Sequence, residues 1–253
     1  MGRMGGSKHL KRMSAPTDWP IPRKTSKWTV KPKPGGHPME QSLPLLLIIR
    51  DILGLAKTRR EVELILAEGN VKVDGKVRRE DDYPVGLMDV LEISGVNTAY
   101  RLLPSPEKGL ILHNIKGEET GFKLCKIMNK TTVKDGHLQL NLHDGRNILV
   151  KVTDPTHPGE DVYTVSDLLK VKVPGSEMME HLKFDEGVLA IVTEGKNRGL
   201  WGRVVKIGRE GGSHSQAITL QDDKENQFET IVDYVFPIGK GEPWISLPSR
   251  EVN

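Results

Sequence analysis

Between Thr58 and Val77 the apolar spacing changes from that of a helix to that of a strand, and the change falls at Gly69. Thr58 and Glu61 form a capping-box pattern, which satisfies free amides at a helix start. Val62, Ile65 and Leu66 then give one apolar face, and Gly69 is a suitable stop. Val71-Lys72-Val73 and Lys76-Val77 alternate around Asp74-Gly75, a strong short signal for a hairpin. A shorter helical face precedes them: Leu45, Ile48, Ile49, Ile52 and Leu53, with Ser42 and Pro44 as start residues and Gly54 as stop. After the acidic turn Glu80-Asp81-Asp82-Tyr83-Pro84, Val85 to Ile93 reads as one closing strand. Helix, basic turn, helix and hairpin therefore organise residues 42–96.

The basic turn is the informative part. Lys57, Arg59 and Arg60 stand at the positive end of a helix dipole, where cations cost about 0.3–1 kcal/mol each. Glu61 and Glu63 offset part of that. Two readings follow: a solvated basic turn, or a seat for an anion held by free amides and guanidinium groups. Lys72, Lys76, Arg78 and Arg79 on the adjacent hairpin favour the second, because one basic surface then spans helix and hairpin.

Charge is unevenly placed. The 253 residues carry a net +3, but residues 1–40 hold nine lysines and arginines against Asp18 and Glu40, or +7. The remainder is therefore −4, which describes a basic arm on a near-neutral body. Residues 1–41 hold few aliphatics and many Pro and Gly, so they cannot bury enough surface to fold alone. Arg3, Lys8, Lys11, Arg12, Arg23, Lys24 and Lys27 are candidate phosphate contacts. Trp19 and Trp28 either dock on the body or stack on nucleobases. The favoured reading is an arm that orders on RNA.

Residues 97–174 switch to period two. Gly109–Ile115 and Phe122–Met128 read as strands, and Asp135-Gly136 and Asp144-Gly145 as hairpin turns. Val162 to Leu169 is expected to include a short helix capped by Ser166. His113, His137, His143 and His157 are dispersed, and Asp144 has a turn role. No catalytic residue, metal site or cofactor is expected. A single cysteine, Cys125, leaves neither a disulfide framework nor a cysteine-based zinc site. No apolar run is long enough to span a bilayer, and no secretory or myristoylation signal is visible. These features fit the cytoplasm, with neither membrane nor small-molecule substrate as partner.

In residues 175–238, Gly187–Val192 and Arg203–Ile207 read as strands around the loop Glu194–Gly202. Gly208 to His214 reads as a flexible loop, Ser215–Gln221 and Phe228–Val232 as further strands, and residues 239–253 as a tail that docks back.

Leu53–Val62 followed by Gly69–Val77 resembles the small RNA-binding fold named after ribosomal protein S-four. Pseudouridine synthases and some tRNA synthetases share that fold. The resemblance implies an RNA face on the second helix and hairpin, at Lys57, Arg59, Arg60, Lys72 and Lys76. The segment from Gly187 to Ile207 resembles the KOW motif, a small SH3-like barrel. There Lys196, Arg198 and Arg203 would lie on or beside the exposed loop, with Asn197 and Trp201. The order of modules, the opening Gly5–Arg12 and the segment Thr120–Leu124 are similar to the archaeal and eukaryotic small-subunit ribosomal protein family S-four-e. That resemblance implies a multidomain α+β protein: a helix-hairpin module, a β-rich central domain and a KOW-type barrel. It implies a structural constituent of the small ribosomal subunit, with small-subunit ribosomal RNA and neighbouring ribosomal proteins as partners. An RNA-modifying enzyme and a KOW-containing transcription or translation factor are the alternatives.

Overall fold

The structure, a computed structural model, describes residues 7–95, 98–107, 109–153, 159–208 and 216–248. It is mostly β-sheet with few helices. Arg3 and all but the first residue of the loop expected at Gly208–His214 lie outside the described residues.

The arm is not a free tail. Strands β1 (Leu10–Lys11) and β2 (Trp28–Thr29) pair antiparallel, and Leu10, Ala15, Trp19 and Ile21 enter the core of the following module. Trp19 is 2% exposed, so it is a core residue and no stacking platform. Two arginines stitch the intervening loop. Arg12, itself buried, donates to the Pro22 carbonyl (2.8 Å) and to Thr25 Oγ1 (3.1 Å). Arg23 donates to the carbonyls of Arg12 (3.0 Å), Ala15 (2.6 Å) and Pro16. Composition shows only that the arm cannot fold alone. Docked on the body, it borrows a core, and its own arginines satisfy its loop carbonyls.

Strand β3 (Ser42–Pro44) leads into a short helix, α1 (Leu45–Leu47), which widens into a π-turn over Ile48–Ile52. The expected amphipathic helix is buried all round in its first half: Leu45 to Ile49 are all at most 1% exposed, whereas Asp51 is exposed. Ser42, expected as a helix start, is a strand residue. Helix α2 (Arg59–Ala67) carries the capping box at Thr58 and Glu61. The hairpin follows as β4 (Val71–Val73) and β5 (Lys76–Val77), with Asp74 (φ 50°) and Gly75 (φ 69°) both left-handed, as a type I′ turn requires.

The single strand expected over Val85–Ile93 is two strands. β6 (Pro84–Gly86) pairs with β3, and β7 (Val90–Ile93) pairs with β4. Met88, at φ 66°, turns the chain between them. β7 also pairs with β8 (Thr98–Ser105), which pairs with β9 (Gly109–Ile115). One sheet in the order β5-β4-β7-β8-β9 therefore runs across the boundary expected at residues 96/97.

The second sheet contains β10 (Phe122–Thr132), β11 (Leu138–Leu142), β12 (Asn147–Val150), β13 (Leu168–Lys172) and β14 (Met178–Leu182), in the order β12-β11-β10-β13-β14. β13–β14 pairing crosses the boundary expected at 174/175. The helix expected at Val162–Leu169 is absent. Ser166 has φ 76°, and Asp167 accepts from the Thr164 and Phe184 amides, which fixes a turn where a helix would run.

The third sheet contains β15 (Val188–Val192), β16 (Trp201–Ile207), β17 (Ala217–Gln221), β18 (Gln227–Ile231), β19 (Val235–Lys240) and β20 (Glu242–Pro243). Its order is β18-β17-β16-β15-β19-β20, so β19 and β20 carry it past the boundary expected at 238/239. Beyond it, Ile245 is buried and docks the tail. Leu103, Phe122, Leu124, Ile191 and Phe236 come from all three sheets and share one apolar cluster. The modules are not beads: a common core joins them. Among the described residues no helix is long and apolar enough to cross a membrane.

Candidate nucleic-acid interface

The cations expected to form one surface divide into two groups. Lys57 and Arg60 flank the start of α2 and are exposed, as is Lys76 on the hairpin. Lys72 alternates with Val71 and Val73, which are buried, so its side chain lies on the sheet face away from the core. Arg78 packs over the Tyr83 ring, 4.3 Å from its centroid. In the arm, Lys8, Lys11, Lys24, Lys27 and Trp28 are exposed.

The anion seat expected at the start of α2 is partly filled by the protein itself. Glu61 Oε2 accepts from the Lys57 amide (2.7 Å) and the Thr58 amide (3.4 Å), and Thr58 Oγ1 accepts from the Glu61 amide (3.3 Å). These amide bonds, with the Thr58 hydroxyl, hold the Glu61 carboxyl below its ordinary range. Arg59 lies against Glu63 (3.1 Å) and Asp81 (2.8 Å). What projects from the turn is therefore the side chains of Lys57 and Arg60, not a row of vacant amides.

Three other expected contacts are tied to the protein. Arg12 and Arg23 hold the arm's loop, as described above. Arg198, in the third sheet's loop, forms an ion pair with Asp18 of the arm and lies 3.4 Å from the Ser105 carbonyl. It fastens the arm to the far module. Lys196 and Arg203 are exposed.

The feature that the sequence did not disclose is a buried ionic seam where the arm, the first sheet and the second sheet meet. Lys123, 1% exposed, lies 3.0 Å from Asp74 and 3.0 Å from Asp144, and also pairs with Asp89. Arg146 reaches Asp144 (3.1 Å) and Asp74. His37 of the arm closes the group through Asp89 (3.1 Å). Close backbone approach admits it: a Cβ on Gly86 would fall 2.0 Å from the His37 ring, and one on Gly36 would fall 2.0 Å from the Asp144 carbonyl oxygen.

Burial alone would raise the acids and lower Lys123. In Asp89, Lys123 and His37 outweigh burial and hold the carboxyl well below its usual range. In Asp144, Lys123 chiefly outweighs burial and brings the carboxyl to about 2. In Lys123 the carboxylates outweigh burial and raise the ammonium. Asp74 is the exception: burial and the neighbouring Asp89 charge raise it.

Beside the seam, Cys125, His143 and Asp144 bring possible ligand atoms within 4.8 Å, a convergence that dispersed histidines did not suggest. The atoms are already engaged. His143 Nδ1 accepts from the Lys126 amide (3.3 Å) and Nε2 faces the Leu87 carbonyl (3.2 Å), which requires the neutral Nε2–H tautomer. Burial and the Lys123 charge push His143 down to about 3. Two further buried cations act as struts. Arg101, fully buried, donates to the carbonyls of Met88 (3.3 Å), Glu119 (2.8 Å) and Phe122 (3.1 Å). Lys126 donates to carbonyls at the start of β19 and in the turn before it, at 2.8 Å for Val235. Lys123, Arg101 and Lys126 were not among the site residues expected from sequence. The only sequence signal is a charged residue inside an otherwise apolar strand, as in Phe122-Lys123-Leu124-Cys125-Lys126-Ile127.

Residues 4–40 match an RS4NT (NUC023) domain, residues 46–91 an S4 domain, and residues 96–178 the model of Ribosomal family S4e. Curated relatives named small ribosomal subunit protein eS4 include that of Desulfurococcus amylolyticus, 51% identical over 248 residues, with 98% of each chain covered. Those of Staphylothermus marinus (52%, 98% of each chain) and Methanocaldococcus jannaschii (48%, 98% of this chain and all of the other) are similar. The crystal structure of the 30S ribosomal protein S4e from Thermoplasma acidophilum is 36% identical. It superposes with a TM-score of 0.65 over 79% of this chain and 96% of that one. On these grounds the chain belongs to the S4e family of ribosomal proteins.

Proposed function

We propose that the protein is a structural constituent of the small ribosomal subunit and binds ribosomal RNA through its docked basic arm and the helix-hairpin module. The observation that carries this reading is 51–52% identity, over 98% of each chain, to proteins named as small-subunit components. The chemistry supports it. Exposed Lys57, Arg60 and Lys76 on one module, with Lys8, Lys11, Lys24 and Lys27 on the arm, offer a set of cations whose binding to phosphates releases counterions. The rigid fold beneath lets them meet RNA without paying to order a free tail. Shape, rather than base edges, is what such a surface reads in folded RNA. The third sheet presents two further exposed cations, Lys196 and Arg203, to neighbouring RNA or ribosomal proteins.

Sedimentation of a cell lysate tests this. Stoichiometric recovery in small subunits, surviving a high-salt wash, is the expected result. Recovery near the top of the gradient would favour a factor or an enzyme instead.

A further inference from the structure

The arm and the start of α2 enclose an open groove of about 400 Å³. Lys8, Arg12, Lys31, Arg50 and Arg59 line it against one carboxylate, Asp82. Part of this charge is compensated: Arg50 pairs with Asp51 at 2.7 Å, and Arg59 with Glu63 and Asp81. Lys8 is exposed, and among the described residues Lys31 donates to a backbone carbonyl, that of Ser7.

The unusual wall is aromatic. Trp28 is 50% exposed, with the His9 ring 5.6 Å away and the Lys27 ammonium 5.1 Å from the indole centroid. The same arm buries its other indole, Trp19, almost completely. An indole left open beside cations is a stacking platform next to positive charge, the combination single-stranded nucleic-acid sites use. A peptide would find little apolar depth here, and a regular RNA helix would use the cations but leave the indole idle.

We propose that this groove takes one unpaired nucleotide of an RNA chain. Its base stacks on Trp28 beside His9, and its flanking phosphates lie towards Lys8, Lys31 and Arg59. The inference rests on the RNA-binding reading above and adds a base-level contact to it. The contact is stacking, which every base can make, so the site accepts any base and favours purines, which stack over more area.

The test uses the full-length protein and three probes: a single-stranded oligoadenylate, a fully paired RNA duplex of the same length, and small-subunit ribosomal RNA. Trp28→Ala is expected to weaken oligoadenylate binding about tenfold or more while duplex binding changes less than about twofold. Trp28→Phe, which keeps a ring, should fall between. Equal loss on both probes, or no loss on oligoadenylate, overturns the stacking site. If the unsubstituted protein binds the ribosomal RNA with a steep salt dependence and Trp28→Ala has no effect on oligoadenylate, this inference fails alone. If the unsubstituted protein binds none of the three, both readings fail.

Discussion

Lys123 and Lys76 are the same residue type, and they do opposite things. Lys76 stands on the hairpin in water, where its charge is available to a partner. Lys123 is sealed among Asp74, Asp89 and Asp144, where its charge holds three parts of the chain together. The two lysines differ in surroundings, not in chemistry. In the seam a charge is costly to bury, so every partner must be in place. On the face, the surrounding water screens each charge, and the charges matter mainly to what binds them.

The largest expected difference is in stability. Lys123→Met removes the cation shared by three buried carboxylates, leaves only Arg146 and His37 against them, and should cost about 3–5 kcal/mol, as read by denaturant unfolding. Lys76→Met should stay within about 0.5 kcal/mol. Similar costs for the two would erase the distinction.

Acid should reach the seam before the face. Folded His143 resists protonation down to about 3, whereas the unfolded chain takes the proton near the ordinary 6.5. Between those values the unfolded state holds more protons, so stability falls as pH falls, by at most about 1.4 kcal/mol per pH unit from this group. His143→Gln should flatten unfolding free energy between pH 6 and 4.5. An unchanged slope would mean that His143 is not held neutral.

A smaller effect separates fastening from binding. Arg198→Gln should speed amide exchange around Asp18 and Leu110, because it releases the arm from the third sheet. It should leave the salt dependence of RNA binding unchanged. A lower salt slope would place Arg198 on phosphate instead.

These contrasts show what was legible in the sequence. Helix α2 and the β4–β5 hairpin were readable because their signals are local: a capping box, an apolar period and Asp-Gly. The split between β6 and β7 was not, because it depends on Met88 adopting a left-handed turn within an apolar run. The arm's docking was hidden because its core lies in another module. The same holds for Trp19 and Trp28: both sit among cations, and only the fold assigns one to the interior. The seam was least readable of all. Asp74 and Asp144 both read as ordinary hairpin-turn residues, and nothing local shows that both face Lys123.

The most direct test of the account is the salt dependence of binding to small-subunit ribosomal RNA, measured for the protein and for a Lys57→Gln, Arg60→Gln, Lys76→Gln variant. The account predicts that the slope of log affinity against log salt falls by about 2–3 in the variant, while its unfolding midpoint stays in place. An unchanged slope with the same affinity would contradict it and move the RNA contact off the helix-hairpin module.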